Sequence, residues 1–155
     1  MGLINDEFYL QRAVALAASN VAGGGRPFAA LLVKDDQVIV EAVNTLHISQ
    51  DPTAHAELLA IRAASQQLGP RLEGCVIYAS GQPCPMCLSA MHLCGVTRVV
   101  YAASNPQGEP FGLSTAAIYQ QLALPLSEQK LAIQHIPQPA MVEIYSDWKA
   151  CHEPG

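Results

Sequence analysis

The feature of this 155-residue sequence that most constrains its fold is a pair of cysteines, Cys84 and Cys87, at the start of a predicted helix. They follow the short apolar run CVIYAS, which is typical of a strand, and a proline stands on each side of Cys84. Two thiols at this spacing are compatible with a redox pair, with half of a zinc site, or with packing. The choice among these depends on what else the fold brings to the same place.

A second motif, DPTAHAELLA, places His55 and Glu57 near the start of another predicted helix. One imidazole and two thiolates suit zinc, and three protein ligands leave the fourth tetrahedral position to water, as in a catalytic site. Residues two apart on a helix point roughly 200° from each other, so both can serve one centre only at the helix end. Glu57 could then move the proton of the activated water, and the helix starts would favour thiolate over thiol.

The remaining cysteines and histidines have simpler interpretations. Cys75 and Cys94 lie on a predicted strand and at a predicted helix end, where a free cysteine usually acts as a small buried hydrophobic residue. Cys151 stands near the end of the sequence, and the histidines other than His55 have no partner at metal spacing. The zinc hypothesis therefore depends on His55, Cys84 and Cys87.

Hydrophobic periodicity predicts alternating helices and strands. The predicted helices cover residues 6–18, 53–68 with Thr53 as N-cap, 85–94, 114–122 and 141–151; the predicted strands cover 28–34 and 38–44, joined by a turn at 35–37, then 75–80, 97–103 and 130–136. This order indicates an α/β fold with one mixed five-stranded sheet covered by helices.

Composition narrows the function classes. Half of the residues are apolar, 14% are charged, and the formal net charge is −5 with eight Lys and Arg scattered singly. Because there is no basic stripe to neutralise phosphates, nucleic acid and membrane surfaces are poor partners. No apolar run reaches the length of a membrane span, and the first residues lack the positive charge of a secretory signal. Five cysteines, an odd number, suggest reduced thiols, so we expect a cytoplasmic protein.

Together, HAE at 55–57 and PCPMC at 83–87 resemble the His-x-Glu and Pro-Cys-x-x-Cys signature of zinc deaminases. The resemblance continues through RPFAALLVKD, SQDPTAHAELLAIRAA, QPCPMCLSAM and RVVYAA, and it is to the cytidine deaminase superfamily, most of all to the small bacterial guanine deaminases. It implies one deaminase domain over residues 1–155, a three-layer α/β/α sandwich, and hydrolytic release of ammonia from guanine or a related amino-heterocycle.

The resemblance also implies residue roles. His55, Cys84 and Cys87 would hold zinc, and Glu57 would be the catalytic proton shuttle. The implied substrate contacts are Asn44, the backbone N–H of Ala56, Phe28, Thr115 and Trp148. A homodimer is implied as well, in which residues 140–155 could exchange between subunits so that Trp148 helps to close the partner's site.

Three departures from the family pattern concern the substrate. Gln82 stands where the family usually has Glu, and Leu93 stands where an aromatic residue is expected. Ser114 and Thr115 occupy the positions of an acidic pair, one member of which assists at the purine. Loss of that acid predicts either weaker activity on guanine or a different amino-heterocycle as substrate.

Two other functions compete with this one. A tRNA adenosine deaminase on the same scaffold would need a basic C-terminal helix, whereas MVEIYSDWKACHEPG carries one Lys against three acidic residues. A non-catalytic module stabilised by zinc would not require Glu57. The sequence therefore predicts a zinc-dependent deaminase of a small heterocycle, with tRNA deamination as the alternative.

Overall fold

The computed structural model describes the backbone of residues 2–152 and the side chains of residues 5–152. Within this range there are seven α-helices and four β-strands: α1 (Gly2–Ala22), β1 (Ala29–Lys34), β2 (Gln37–Val43), α2 (Leu46–Ser49), α3 (Ala56–Leu68), β3 (Cys75–Gly81), α4 (Pro85–Cys94), β4 (Arg98–Ala103), α5 (Asn105–Gly108), α6 (Ala116–Leu122) and α7 (Pro139–His152). The chain divides into two compact units, of which the first ends at Gln120 and the second begins at Gln121.

The sheet belongs to the first unit and has the strand order β2-β1-β3-β4. β1 runs antiparallel to β2 and β3, and β3 runs parallel to β4, so the sheet is mixed as predicted. The β1–β2 hairpin turns at Asp35 and Asp36, with φ angles of 51° and 59°. Two consecutive left-handed residues match the twist of a tight hairpin, and Asp tolerates this conformation better than most residues.

Helices cover both faces of the sheet because β1 is apolar on both sides. Leu31 and Val33 pack on the α1 side, in a cluster that also contains Tyr9, Ala13 and Tyr78. Ala30 and Leu32 face the other way, in a cluster that includes Ala60 and Ala64 of α3 and Cys87 and Met91 of α4. Alternation along a strand sends successive side chains to opposite faces. This arrangement confirms the predicted three-layer α/β/α architecture.

The prediction of a fifth strand over residues 130–136 was wrong. This segment joins no sheet within residues 2–152, and its apolar side chains are exposed, Leu131 to 72% and Ile136 to 69%. An apolar pattern indicates only that side chains favour burial. A strand also needs a hydrogen-bonded neighbour, and the pattern does not provide one.

The predicted start of the second long helix was also wrong, by two residues. Thr53 does not cap it, because α3 begins at Ala56 and its N-cap position is His55. The backbone N–H and hydroxyl of Thr53 instead donate to Asp51 Oδ1, at 2.8 and 2.7 Å. Asp51 closes a local turn here, so the chain stays non-helical for long enough to bring His55 to the tip of α3.

The second unit contains α7, whose apolar side chains Met141, Val142, Ile144, Tyr145 and Trp148 are exposed within the single chain. Among the described residues, no helix combines the length and the apolar composition needed to cross a membrane. A single domain over residues 1–155 and an exchange of residues 140–155 between subunits stay predictions.

Candidate active site

His55, Cys84 and Cys87 meet at the ends of two helices, and their ligand atoms all lie within 4.8 Å of one another. His55 Nδ1 is 3.4 Å from Cys84 Sγ and 3.5 Å from Cys87 Sγ. A tetrahedral zinc with Zn–N bonds of about 2.0 Å and Zn–S bonds of about 2.3 Å sets its nitrogen and sulfur ligands about 3.5 Å apart. The three residues therefore fit zinc in both donor chemistry and spacing.

The residues of the site lie at two helix N-termini, those of α3 and α4. Cys84 is the N-cap of α4, with extended backbone and Pro85 in the first helical turn, and its sulfur accepts the backbone N–H of Cys87 at 3.4 Å. His55 immediately precedes α3, and Glu57 lies in its first turn. The partial positive charge at both helix starts favours thiolate sulfur. The expectation that His55 and Glu57 can share one centre only at a helix end agrees with this geometry.

The pKa values of the three ligand residues are shifted in different directions. The pKa of Cys84 lies well below its usual value because the Cys87 thiol donates to its sulfur and His55 provides a second hydrogen bond. The pKa of Cys87 is raised because this thiol donates that bond and is buried. The bond to Cys84 also raises the pKa of His55. Since zinc needs deprotonated ligands, metal binding must displace the proton of Cys87, and the raised pKa of His55 lets protons compete with the metal there as well.

Glu57 is a buried carboxyl group beside this cluster, with 7% of the residue exposed. Burial raises its pKa to about 7; a hydrogen bond from its own backbone opposes this shift, and the charge of Cys84 adds to it. A carboxyl group that titrates near neutral pH can both accept and release a proton, which general acid–base chemistry requires.

A cavity of about 240 Å³ opens over the metal cluster in the first unit. His55, Cys84 and Glu57 lie along it, and its lining also includes Arg26, Phe28, Asn44, Gln82, Leu113 and Thr115. Among the predicted substrate contacts, the structure thus brings Phe28, Asn44 and Thr115 to one cavity.

The other two predicted contacts are placed differently. Ala56 is fully buried as the first residue of α3. Trp148 belongs to α7 in the second unit, where its ring stacks on His152 with a centroid distance of 4.5 Å. The substrate-binding roles of both residues stay predictions.

Asn44 is held so that its amide NH2 group is left for a ligand. Its Oδ1 accepts the backbone N–H of Leu46 at 2.9 Å, and its own backbone N–H donates to the Phe28 carbonyl at 3.0 Å. Asn20 fixes the same corner by donating to the carbonyls of Asn44 at 3.0 Å and Arg26 at 2.7 Å. No acceptor for the Asn44 NH2 group is present among residues 5–152, so this group can donate into the cavity.

The segment with Ser114 and Thr115 also lines the cavity and carries no carboxylate. Asn105 Oδ1 accepts the backbone N–H of Thr115 at 3.1 Å and its hydroxyl at 3.5 Å. Ser114 Oγ accepts the N–H of Ala116 at 3.1 Å, at the start of α6. Both hydroxyls thus take part in holding the wall. Among the described residues that line the cavity, Glu57 is the only acid.

Several residues that shape the site were missed from the sequence. Asn105 lies on a short helix that was not predicted, and Tyr119 of α6 donates its hydroxyl to the Pro83 carbonyl next to the metal ligands. Arg26 lies at the start of the RPFAALLVKD motif, and no role at the site was predicted for it. Leu93, in contrast, is 82% exposed on α4 and is not among the described residues that line the cavity, so its difference from the family does not reshape the cavity within this chain.

A helix-flanked mixed sheet with one His and two Cys at helix starts defines a zinc-binding deaminase domain. Residues 3–103 match the family described as the cytidine and deoxycytidylate deaminase zinc-binding region, and the chain belongs to this family.

Individual relatives agree with this assignment. The chain is 38% identical to guanine deaminase of Bacillus subtilis over 94% of its own length and 95% of that protein. A crystal structure of B. subtilis guanine deaminase matches with a TM-score of 0.88 and 36% identity, over 96% of both chains. The B. subtilis tRNA-specific adenosine deaminase is also 38% identical, but over 68% of this chain and 66% of that protein.

Proposed function

We propose that the chain is a zinc-dependent hydrolytic deaminase of a free nucleobase, with guanine as its substrate. The observation that carries the proposal is the buried Glu57 carboxyl group in the same cavity as the His55, Cys84 and Cys87 cluster. The similarity to guanine deaminase of Bacillus subtilis, which covers nearly all of both chains, supports the choice of guanine.

The proposed reaction converts guanine and water into xanthine and ammonia. Zinc held by His55, Cys84 and Cys87 would supply a Lewis acid and a water molecule of lowered pKa. The water oxygen adds to ring carbon C2, and the bond from C2 to the amine breaks. Glu57 accepts the proton that the water loses and delivers a proton to the departing amine. A pKa near 7 lets one carboxyl group perform both transfers.

The remaining residues orient the base. The Asn44 NH2 group donates to an acceptor on the ring, the Phe28 side chain covers a ring face, and the Thr115 hydroxyl contributes to the far wall. The backbone N–H of Ala56 would add a further contact, and Trp148 of the partner subunit would add another when residues 140–155 exchange. The exposed apolar side chains of α7 support the further proposal of a homodimer in which residues 140–155 exchange between subunits. We propose a cytoplasmic location for this enzyme.

The test is ammonia release by zinc-loaded protein from guanine, adenine, cytosine, isoguanine, pterins and aminotriazines, with Glu57→Ala as the blank. Turnover of guanine above that blank supports the proposal. Turnover of another base alone would keep the deaminase but overturn guanine as the substrate.

An anticodon stem-loop RNA in the same panel tests the alternative. Deamination of adenosine in the RNA, with no release from free bases and with a steep salt dependence, would favour a tRNA deaminase. Protein that binds zinc but releases ammonia from nothing in the panel would favour a non-catalytic module.

A further inference from the structure

Arg26 is a cation at the rim of the catalytic cavity that makes no ion pair within the described part of the chain. Three other arginines pair with carboxylates, Arg12 with Glu41, Arg71 with Glu73 and Arg98 with Asp6. The Arg26 guanidinium forms neither a salt bridge nor a hydrogen bond with residues 5–152, although it lines the cavity and acts electrostatically on His55. Its five N–H donors are therefore available to a ligand.

The main chain that carries Arg26 is fixed. The Arg26 carbonyl accepts the Asn20 side-chain amide at 2.7 Å and the Phe28 backbone N–H at 2.8 Å. The preceding Gly25 packs so closely that a Cβ there would lie 2.6 Å from both Asn20 Nδ2 and His47 Cε1. The backbone at Arg26 is therefore held in one position, and the guanidinium extends from it towards the cavity.

The chemistry of the cavity indicates which ligand groups it must satisfy. Apart from Glu57, the described lining residues offer no carboxylate, and the hydroxyls of Ser114 and Thr115 are engaged in the wall. The side-chain groups left to orient a base are donors, among them the NH2 groups of Asn44 and Gln82 and the Arg26 guanidinium. A substrate that fits them presents acceptors on the edges away from its amine.

A guanidinium recognises two adjacent acceptors best because its planar fork donates two parallel hydrogen bonds. In the 9H tautomer of guanine the O6 and N7 atoms form such a pair, across the ring system from the C2 amine, whereas adenine presents a donor beside N7. A cavity of about 240 Å³ is smaller than the range of roughly 300–1,000 Å³ that drug-sized ligands need, so it suits a single base.

We propose that Arg26 is a specificity-determining residue that binds the carbonyl oxygen and the adjacent ring nitrogen of the substrate, so that the site selects 2-amino-6-oxopurines. The inference rests on the proposed deaminase function and deepens it, since it names the substrate class.

The experiment compares wild type with Arg26→Gln, Arg26→Lys and the control Arg62→Gln, which changes an exposed arginine of α3 that does not line the cavity. We expect Arg26→Gln to lower kcat/KM for guanine by about 5- to 150-fold, the discrimination of a good bidentate pair. For 2-aminopurine, which lacks O6 and keeps only N7, kcat/KM should fall by clearly less than it does for guanine. Arg26→Lys keeps the charge but loses the fork, so it should recover guanine turnover only in part.

A binding measurement separates this inference from the proposed function. Calorimetry with zinc-loaded protein compares xanthine, which carries both acceptors, with 2-hydroxypurine, which lacks O6. Arg26→Gln should weaken xanthine more than 2-hydroxypurine, which offers Arg26 only the ring nitrogen, and Arg62→Gln should weaken neither. Equal effects of Arg26→Gln on both ligands, or none, would overturn the inference even if wild type deaminates guanine.

If wild type releases no ammonia from guanine but xanthine binding still depends on Arg26, the proposed function fails and the recognition stands. If wild type neither deaminates guanine nor binds xanthine, both are overturned.

Discussion

Asn105 accepts the backbone N–H of Thr115 through Oδ1 at 3.1 Å, and this bond attaches one wall of the cavity to the protein core. Asn105 is buried, and its own N–H donates to Gln82 Oε1 at 2.8 Å, two residues before Cys84. The part of the cavity lining that contains Thr115 is therefore tied to the segment that leads to Cys84 and Cys87. Gln82 provides this acceptor with its amide oxygen, as a glutamate carboxylate oxygen could.

Asn105→Ala should release this wall without disturbing the metal cluster. We expect KM for the deaminated base to rise about 3- to 10-fold, because one net hydrogen bond of roughly 0.5–1.5 kcal/mol is lost, while the zinc content stays at one per chain. Asn105→Asp keeps an acceptor oxygen for Thr115 and should retain more of the wild-type KM. Steady-state kinetics with zinc analysis checks this, and equal KM values for the two variants would contradict it.

Gly81 allows the Phe28 ring to lie against the end of β3. A Cβ at position 81 would approach Phe28 Cε1 to 2.9 Å, so Gly81→Ala must displace the ring, which lines the cavity. We expect kcat/KM to fall by about tenfold and the free energy of unfolding to fall by about 1–3 kcal/mol, as for overpacked sites. Kinetics and urea unfolding measure both quantities.

Gly23→Ala is the matched control for that substitution, because a Cβ at position 23 would come no closer than 3.6 Å to its neighbours. It should leave kcat/KM within about twofold of wild type. A similar loss in both variants would show that Phe28 placement is not the cause.

The metal cluster was predictable because its residues lie in two short sequence motifs at helix starts. His55 and Cys84 each precede a helix, and the rule that residues two apart share a centre only at a helix end is enough to place Glu57. The start of α3 was predicted incorrectly, because Asp51 and Thr53 belong to residue types that form turns as well as helix N-caps. The structure shows that Asp51 accepts from Thr53 in a turn, and this competing local hydrogen bond shifted the start of α3.

The cavity wall was not predictable, because its contacts join residues that are distant in the sequence. Tyr119 reaches the Pro83 carbonyl across 36 positions, and Asn105 meets Gln82 across 23. No short pattern encodes either contact. The incorrect prediction of a strand at 130–136 has a related cause. An apolar pattern indicates that a segment tends to be buried, but it does not specify which neighbour the segment packs against.

Asp6 forms a buried anchor between α1 and the sheet, and it should make stability depend on acid pH. Its Oδ1 accepts the Tyr78 hydroxyl at 2.6 Å and Arg98 Nη1 at 2.7 Å, and these bonds, Arg98 first, lower the Asp6 pKa to about 2. A lowered folded-state pKa gives stability that is complete above about pH 4 and is lost as pH falls towards 2.

We expect this contribution to be about 1–2 kcal/mol, because the Arg98 side chain is half exposed and water screens the pair. Asp6→Asn should remove that part of the pH dependence and destabilise the protein at pH 7. Urea unfolding of both proteins between pH 2 and pH 7 provides the measurement. A constant difference in unfolding free energy over this range would contradict the assignment.

Zinc affinity should decrease as the pH falls. The pKa values of Cys87 and His55 are both raised, so protons compete with the metal for these two ligands. The apparent affinity should change on the order of tenfold per pH unit for each proton displaced. Competition with a chromophoric chelator from pH 6 to pH 8 measures the slope.

Two cysteine variants test whether that slope belongs to the cluster. Cys87→Ser should abolish tight binding, whereas Cys151→Ser, at an exposed position, should keep both the affinity and its slope. An affinity independent of pH would show that the ligands are already deprotonated in the metal-free protein.

Glu57→Gln separates proton transfer from metal binding. Glutamine keeps the size of the side chain and can still accept a hydrogen bond, but it cannot take a proton, so kcat should fall by about 10²- to 10⁴-fold. Because His55, Cys84 and Cys87 make up the ligand cluster without Glu57, zinc should remain at one per chain. Ammonia release and metal analysis on the same preparation test both statements, and loss of zinc in this variant would mean that Glu57 supports coordination.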